Sequence, residues 1–401
     1  MTTAARTAAV ALAATLAIQI FASLAATAAA VLAPLIARDI GVAPKLVGVF
    51  VGLLYGSAMA ASLASGGFIE RFGAIRVSQV CVLFCAAGAA MVPAIASAPA
   101  GLLPLLVAAP LVLGLGYGPI TPASSHVLAR TATPRRLALT FSIKQTGVPA
   151  GAAFAGAVLP GLALAVGWRT AFVVIVAAGI VIALVAQATR TALDADRRPT
   201  RSLSLAGVFA PLRLVLATPA LIELALVAFV YAATQVCLMS FLVVYLTETL
   251  GFSLVAAGFA LTVANLGGIV GRIAWGAVAD HFAGPRAVLG MLGVAAGACA
   301  YITAGFGVGW PTLPLVAVCG LFGATAIGWN GVQLAEVARH SPPGQAGAIT
   351  GASGFVSFAG VVVGPPAFAL LSALTGSYRV GFVTFGSASL FCGLALLRRS
   401  R

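Results

Sequence analysis

Charged side chains are scarce in this sequence, and acidic ones scarcest: eight Asp and Glu in 401 residues, against 22 Lys and Arg. Charged residues make up 7% of the chain, where a soluble globular protein carries roughly 25% to wet its surface. A water-facing surface of ordinary size is therefore excluded, and lipid is the solvent that remains. There are only three histidines, and the six cysteines (Cys81, Cys85, Cys237, Cys299, Cys319 and Cys392) form no CxxC or zinc-type cluster. Buried apolar thiols are expected, with no metal site and no redox chemistry. The sequence has no HExxH, no GxSxG and no pair of intramembrane aspartates, so it reads as a non-enzyme without a cofactor. GLGYGP (114–119) contains G-x-G but follows no strand, and close helix packing explains it better than a nucleotide cradle.

What the chain has in quantity is apolar length: 61% of residues are hydrophobic and the mean hydropathy is +1.12. A span needs roughly 20 apolar residues to cross about 30 Å of hydrocarbon. Breaks at charges, Pro and Gly divide the sequence into twelve spans, at 8–33, 46–66, 75–97, 102–126, 137–161, 168–189, 216–245, 253–279, 286–306, 312–336, 345–371 and 377–397. The first run exceeds the 7–15 residues of a signal-peptide core and is expected to be a retained span. Bends or late starts are expected in the seventh and eleventh runs, which hold Pro219 and the pair Pro365 and Pro366.

The basic residues test that count. With the N-terminus inside, cytoplasmic segments take sixteen: Arg6, Arg71, Arg76, Arg130, Arg135, Arg136, Arg190, Arg197, Arg198, Arg201, Arg213, Arg286, Arg339, Arg398, Arg399 and Arg401. Outside segments take four, Arg38, Lys45, Arg169 and Arg379, while Lys144 and Arg272 fall within spans. That asymmetry is the positive-inside pattern, and it places both termini in the cytoplasm. The net charge of +14 thus reads as a bilayer signal. It forms no continuous stripe with interleaved aromatics, so nucleic-acid binding is not expected.

The sequence also repeats. GGFIERFGAIRV (66–77) is answered by GAVADHFAGPRAV (276–288), which puts Glu70 and Asp280 210 positions apart. HVLAR ending at Arg130 corresponds to AEVAR ending at Arg339, and Pro134 to Pro343, each at 209. GWRTAF (167–172) pairs with GSYRVGF (376–382). Four matches in order, at offsets of 209 and 210, mark a duplicated six-span unit. The expected organisation is a bundle over 1–189, a cytoplasmic linker over 190–215 and a second bundle over 216–401.

These residues resemble the major facilitator superfamily across essentially the whole chain. Its loop signature runs G-x-x-x-D-R-x-G-x-x-R/K between spans two and three. Here it stands as Gly66, Glu70, Arg71, Gly73 and Arg76, with Glu for the usual Asp; the second copy keeps Gly276, Asp280 and Arg286, with His281 at the Arg position. The resemblance implies an all-α fold of twelve transmembrane helices in two pseudo-symmetric bundles, with alternating access to a central site. Glu70, Arg71, Arg76, Asp280, Arg130 and Arg339 are the expected latch, because an acid at a span end can accept from a helix N-terminus or an arginine.

An ionisable residue inside a span is costly and marks function by default. Lys144, in SIKQTGVPAG, and Arg272, in NLGGIVGRIAWG, both lie roughly 12 Å from the cytoplasmic edge at 1.5 Å per residue. The superfamily fold would set spans five and eight beside each other, so two cations would face one cavity and favour an anion between them. Arg272 is similarly placed to an arginine of monocarboxylate porters and oxalate:formate-type exchangers, where it is implicated in carboxylate recognition. The acid those porters carry four positions earlier is Gly268 here, so their proton coupling does not transfer. Asn330, Trp329, Tyr55, Gln235 and Asn265 complete the expected substrate set, with Gln19, His126, Tyr231 and Gln333 as weaker candidates. His126, one turn before Arg130, suits the cytoplasmic charge network better than proton relay.

The expected function is secondary transport of a small organic anion by a monomer in a bacterial inner membrane, driven by a proton or counter-anion gradient. A multidrug proton antiporter is the alternative; it is weakened by the absence of charge between Arg6 and Arg38 and of arginine in span four. A membrane sensor on the same scaffold is a third reading, against which stands the lack of a soluble output domain.

Overall fold

Backbone polar groups in hydrocarbon must be satisfied within the chain, and helices do this locally. The computed structural model describes residues 3–40, 46–95, 102–201, 203, 205–252 and 254–399. Lys45 and Arg401, two of the basic residues counted above, lie outside the described residues. Among those described, the regular structure is entirely helical. In order the helices are α1 (Thr3–Val31), α2 (Ala33–Ile40), α3 (Leu46–Phe72), α4 (Ala74–Ile95), α5 (Leu102–Thr131), α6 (Leu137–Gln145), α7 (Gly147–Val166) and α8 (Trp168–Leu193). There follow α9 (Leu205–Ala217), α10 (Pro219–Glu248), α11 (Leu254–Val278), α12 (Pro285–Ala304), α13 (Thr312–Ala326), α14 (Asn330–His340), α15 (Ala346–Thr375) and α16 (Tyr378–Arg399).

Among the described residues, twelve stretches are long and apolar enough to cross a membrane, as the sequence count has it. Burial is inverted relative to a water-soluble protein. Leu184 and Val185 on α8 are 69% and 67% exposed, while Lys144 and Arg272 are each 1% exposed. The chain is an integral membrane protein.

The seventh run starts late, as expected: Pro219 stands at the first position of α10, where a missing N–H costs nothing. α15, by contrast, runs unbroken through Pro365 and Pro366. The breaks fall instead in span five, between α6 and α7, and in span ten, between α13 and α14. The stretch read as a linker is helical from Leu205 on, because LAGVFAPLRLVLA is apolar, and this α9 packs on α3.

The helices sort into two compact units. Unit 1 comprises Met1–Ala132, Thr146–Thr218 and Ser341–Phe355; unit 2 comprises Thr133–Gln145, Pro219–His340 and Val356–Arg401. Each sequence half thus contributes one short segment to the other's unit, and the two segments occupy corresponding positions of the repeat. Within unit 1, α5 packs on both α3 and α4, and α4 packs on α8. The glycines of GLGYGP explain this: a Cβ at Gly114 or Gly118 would run into α3 at Ser57 and Ala58, and one at Gly116 into Cys81 and Cys85 of α4. Within unit 2, α12 packs on α16 and α11 on α13. An aromatic cluster closes this core, with Phe241 stacked on Phe368 at 4.3 Å and Phe382 edge-on to Phe368 at 5.1 Å.

Candidate functional site

The break in span five follows from one residue. Pro149 has no N–H, so the carbonyl of Gln145, four residues earlier, loses its helical donor. α6 ends there, and regular bonding resumes with Ala150 N–H donating to Thr146. The orphaned Gln145 carbonyl accepts from Nη1 of Arg272 on α11. Span ten is interrupted at 327–329, and the Ile327 carbonyl accepts from Nε of the same arginine at 3.1 Å. Arg272 therefore stitches two broken spans within unit 2. Its Nη2 reaches Oδ1 of Asn330 at 3.4 Å, which opens the second half of span ten.

Lys144 enters this network through Gln145, whose Oε1 accepts from Nζ at 2.9 Å. One glutamine thus engages both buried cations, by its side chain and its main chain. Asn330 donates onward to Oε1 of Gln235 at 3.5 Å, and Trp329 Nε1 donates to the same atom at 3.2 Å. Tyr231 sits edge-on to Trp329 at 5.8 Å. The structure thus brings together Lys144, Arg272, Asn330, Trp329 and Gln235. Asn265 donates to the Leu261 carbonyl of its own helix. Tyr55 belongs to unit 1, edge-on to Tyr117 at 6.0 Å, and Gln19 there accepts from Thr121. Gln145 and Ile327 were not singled out from the sequence; the proline four positions after Gln145 was the signal available.

The two loop signatures are used differently. In unit 2 the Asp280 carboxylate accepts from the amides of Ala138 and Leu139, at 3.1 and 2.8 Å, and so caps the start of α6. Arg339 reaches it as well, at 3.3 Å. Asp280 holds both a helix N-terminus and an arginine, where its negative charge complements the α6 dipole. In unit 1 Glu70 instead pairs with Arg201 at 2.7 Å, and its main-chain carbonyl accepts from Arg198. Arg130 and His126 converge on Asp196, the histidine at 2.7 Å, and Arg130 also donates to the Leu193 carbonyl. Asp194 caps α4 through the amides of Ile75 and Arg76 at 2.7 and 3.0 Å.

The segment after α8 thus supplies partners that the repeat pattern did not reveal. Burial pushes the Asp194 carboxyl above its usual range, against the opposing pull of those two amides and Arg190. Burial acts on Asp196 in the same sense, but hydrogen bonds from His126 and Arg130 overcome it and hold that carboxyl well below the carboxylate range. The first glycine of each signature serves close packing. A Cβ at Gly66 would meet Ala348, and one at Gly276 would meet Ser142 and Leu139. Both contacts are with the segments traded between the sequence halves.

The sequence matches the family model described as Major Facilitator Superfamily over residues 15–365. It is 23% identical over 311 residues to the Hexuronate transporter of Bacillus subtilis (strain 168), which covers 72% of this chain and 71% of that protein. The fold resembles the crystal structure of the E. coli fucose:proton symporter, with a TM-score of 0.79, 17% identity and coverage of 98% of this chain and 99% of that one. It also resembles the human organic anion transporter MFSD10, with a TM-score of 0.74, 18% identity and coverage of 99% and 100%. A match over most of the chain is decisive for membership, and the family and these neighbours are transporters of small molecules, not enzymes. The chain therefore belongs to the major facilitator superfamily and is a secondary transporter.

Proposed function

We propose that this transporter carries a small organic anion, recognised through a carboxylate by Arg272 and Lys144. The observation that carries the reading is the joint hold of Gln145 on two buried cations. Like charges kept close in a low-dielectric interior are costly, and a carboxylate between them offsets that cost. Arg272 already sits in a cradle of three oxygens, from Gln145, Ile327 and Asn330. A guanidinium fork that binds carbonyl oxygens also binds carboxylate oxygens, and more strongly. An entering carboxylate would compete with Gln145 and Ile327 for the fork, release α6 and so couple binding to movement. The similarity to a hexuronate transporter points the same way.

In this reading Glu70, Arg71, Arg76, Arg130, Asp280 and Arg339 form the latch, and Asn330, Trp329, Gln235, Asn265 and Tyr55 serve as further substrate contacts. Alternating access releases each exchanged segment from the bundle that holds it, in a monomer of a bacterial inner membrane with both termini cytoplasmic. A proton or counter-anion gradient supplies the energy.

Uptake by proteoliposomes of labelled glucuronate, lactate and oxalate tests the assignment. Lys144→Gln and Arg272→Lys are expected to lower anion uptake by about tenfold or more, the loss of one charge-assisted contact. Uptake at the wild-type rate by either variant would remove that residue from the site. Efflux of a cationic dye without uptake of any acid would favour the antiporter reading instead.

A further inference from the structure

Unit 1 carries a second feature, remote from the Arg272 network. α3 and α4 both pack against α5 but touch each other little, so a groove runs between them with Leu115 and Pro119 of α5 as its floor. Small residues on α3, Ala61, Ala64 and Ser65, leave the space, which amounts to about 860 Å³. That lies within the roughly 300–1,000 Å³ of ligand-sized pockets. The walls are apolar: Phe68, Val80, Phe84 and Leu115 line it and are each 41–45% exposed.

One end of the groove is ringed by Arg71, Arg76, Arg190 and Arg197. Arg190 stands 3.8 Å from Asp194, whose oxygens accept from the α4 amides. Glu70, the other nearby acid, is paired with Arg201. Among the described residues, the side chains of Arg71, Arg76 and Arg197 form no ion pair; Arg71 lies over the Phe72 ring at 5.3 Å. From Arg76 to Phe84 along α4 is eight residues, or about 12 Å, and from Arg71 back to Ala61 along α3 is ten, or about 15 Å. Half of a hydrocarbon core of about 30 Å is the same length. The groove is therefore one leaflet deep, with an apolar body and a cationic mouth.

We infer that this groove binds an anionic diacyl phospholipid from the leaflet at the arginine-rich end, with phosphate among the four guanidiniums and an acyl chain between α3 and α4. Arginines alone would suit any phosphate, but an apolar trough on the outside of membrane-spanning helices selects one that carries a chain. Basic pockets between spans are established settings for anionic lipid head groups. Arg71 and Arg76 also belong to the loop signature, so occupancy would tie that loop to the charge of the bilayer.

Native mass spectrometry of the purified protein, supplied with equal phosphatidylglycerol and phosphatidylcholine, tests this. Wild type is expected to retain phosphatidylglycerol in preference by tenfold or more, at about fivefold per arginine in contact. The triple variant Arg71→Gln, Arg76→Gln, Arg197→Gln should lose the preference, and Ala64→Phe, which fills the trough without touching charge, should lower retention of phosphatidylglycerol several-fold. Arg197→Gln alone, in an exposed turn, should cut the preference about fivefold and covers the case in which the triple variant does not fold. Equal retention of both lipids by wild type, or retention unchanged in Ala64→Phe and Arg197→Gln, would overturn the inference. So would displacement of phosphatidylglycerol by millimolar glycerol 3-phosphate, which would mark a site for a soluble anion.

Discussion

At the scale of single residues, the centre of unit 2 turns on an absent hydrogen. Pro149 leaves the Gln145 carbonyl without a helical donor, and Arg272 supplies one from another span. This makes Arg272 structural and chemical at once, and the two roles can be separated. Arg272→Ala is expected to destabilise the purified protein by about 2–5 kcal/mol in thermal unfolding, since two buried carbonyls lose a donor. In a Pro149→Ala background the cost should shrink by about 1 kcal/mol, because residue 149 regains the N–H that α6 lacks. Additive effects would mean that Arg272 does not replace the missing helical bond. Lys144 and Arg272 stood out in the sequence because charge inside an apolar run is conspicuous. Gln145, which joins them, is uncharged, and only its distance from a proline betrays it.

At the scale of elements, helix ends matter more than helix bodies. Asp280 caps α6 through two amides and also receives Arg339, so the acid of the second loop signature fixes a short helix taken from the first half of the chain. Asp280→Ala should loosen α6. A reporter Ser142→Cys, at a position that is fully buried, placed in a background free of the six native cysteines, should then react with maleimide about tenfold faster, equivalent to about 1.4 kcal/mol. An unchanged rate would show that packing against Gly276 and Gly331 holds α6 without the cap. The partners of the first signature were less legible. The repeat suggested that Glu70 would behave as Asp280 does, but it pairs with Arg201, and Asp196 draws His126 and Arg130 into the segment after α8. Tertiary partners of this kind leave no periodic trace in a sequence.

At the scale of the molecule, the twelve spans were legible because a bilayer imposes a strong rule on apolar length, and the duplication because paired motifs recur in order half a chain apart. The exchange of segments was not, because hydropathy reports which residues sit in lipid and says nothing of which bundle they join. The exchange offers a direct test of movement. A Cβ at Gly354, in the segment lent to unit 1, would stand 3.8 Å from that of Ser62, the spacing of a disulfide. With Ser62→Cys and Gly354→Cys in the cysteine-free background, oxidation should stop uptake in proteoliposomes and a reductant should restore it. Undiminished uptake by the cross-linked protein would show that this segment keeps its seat throughout the cycle.

The same exchange bears on how the protein is made. Domains commonly fold in order of synthesis, the N-terminal one first. Unit 1 departs from that order, because its last piece, Ser341–Phe355, is translated only after most of unit 2. The early bundle must wait in the bilayer with that seat vacant, its small-residue surfaces around Gly66 and Ser62 uncovered, until residues 341–355 arrive.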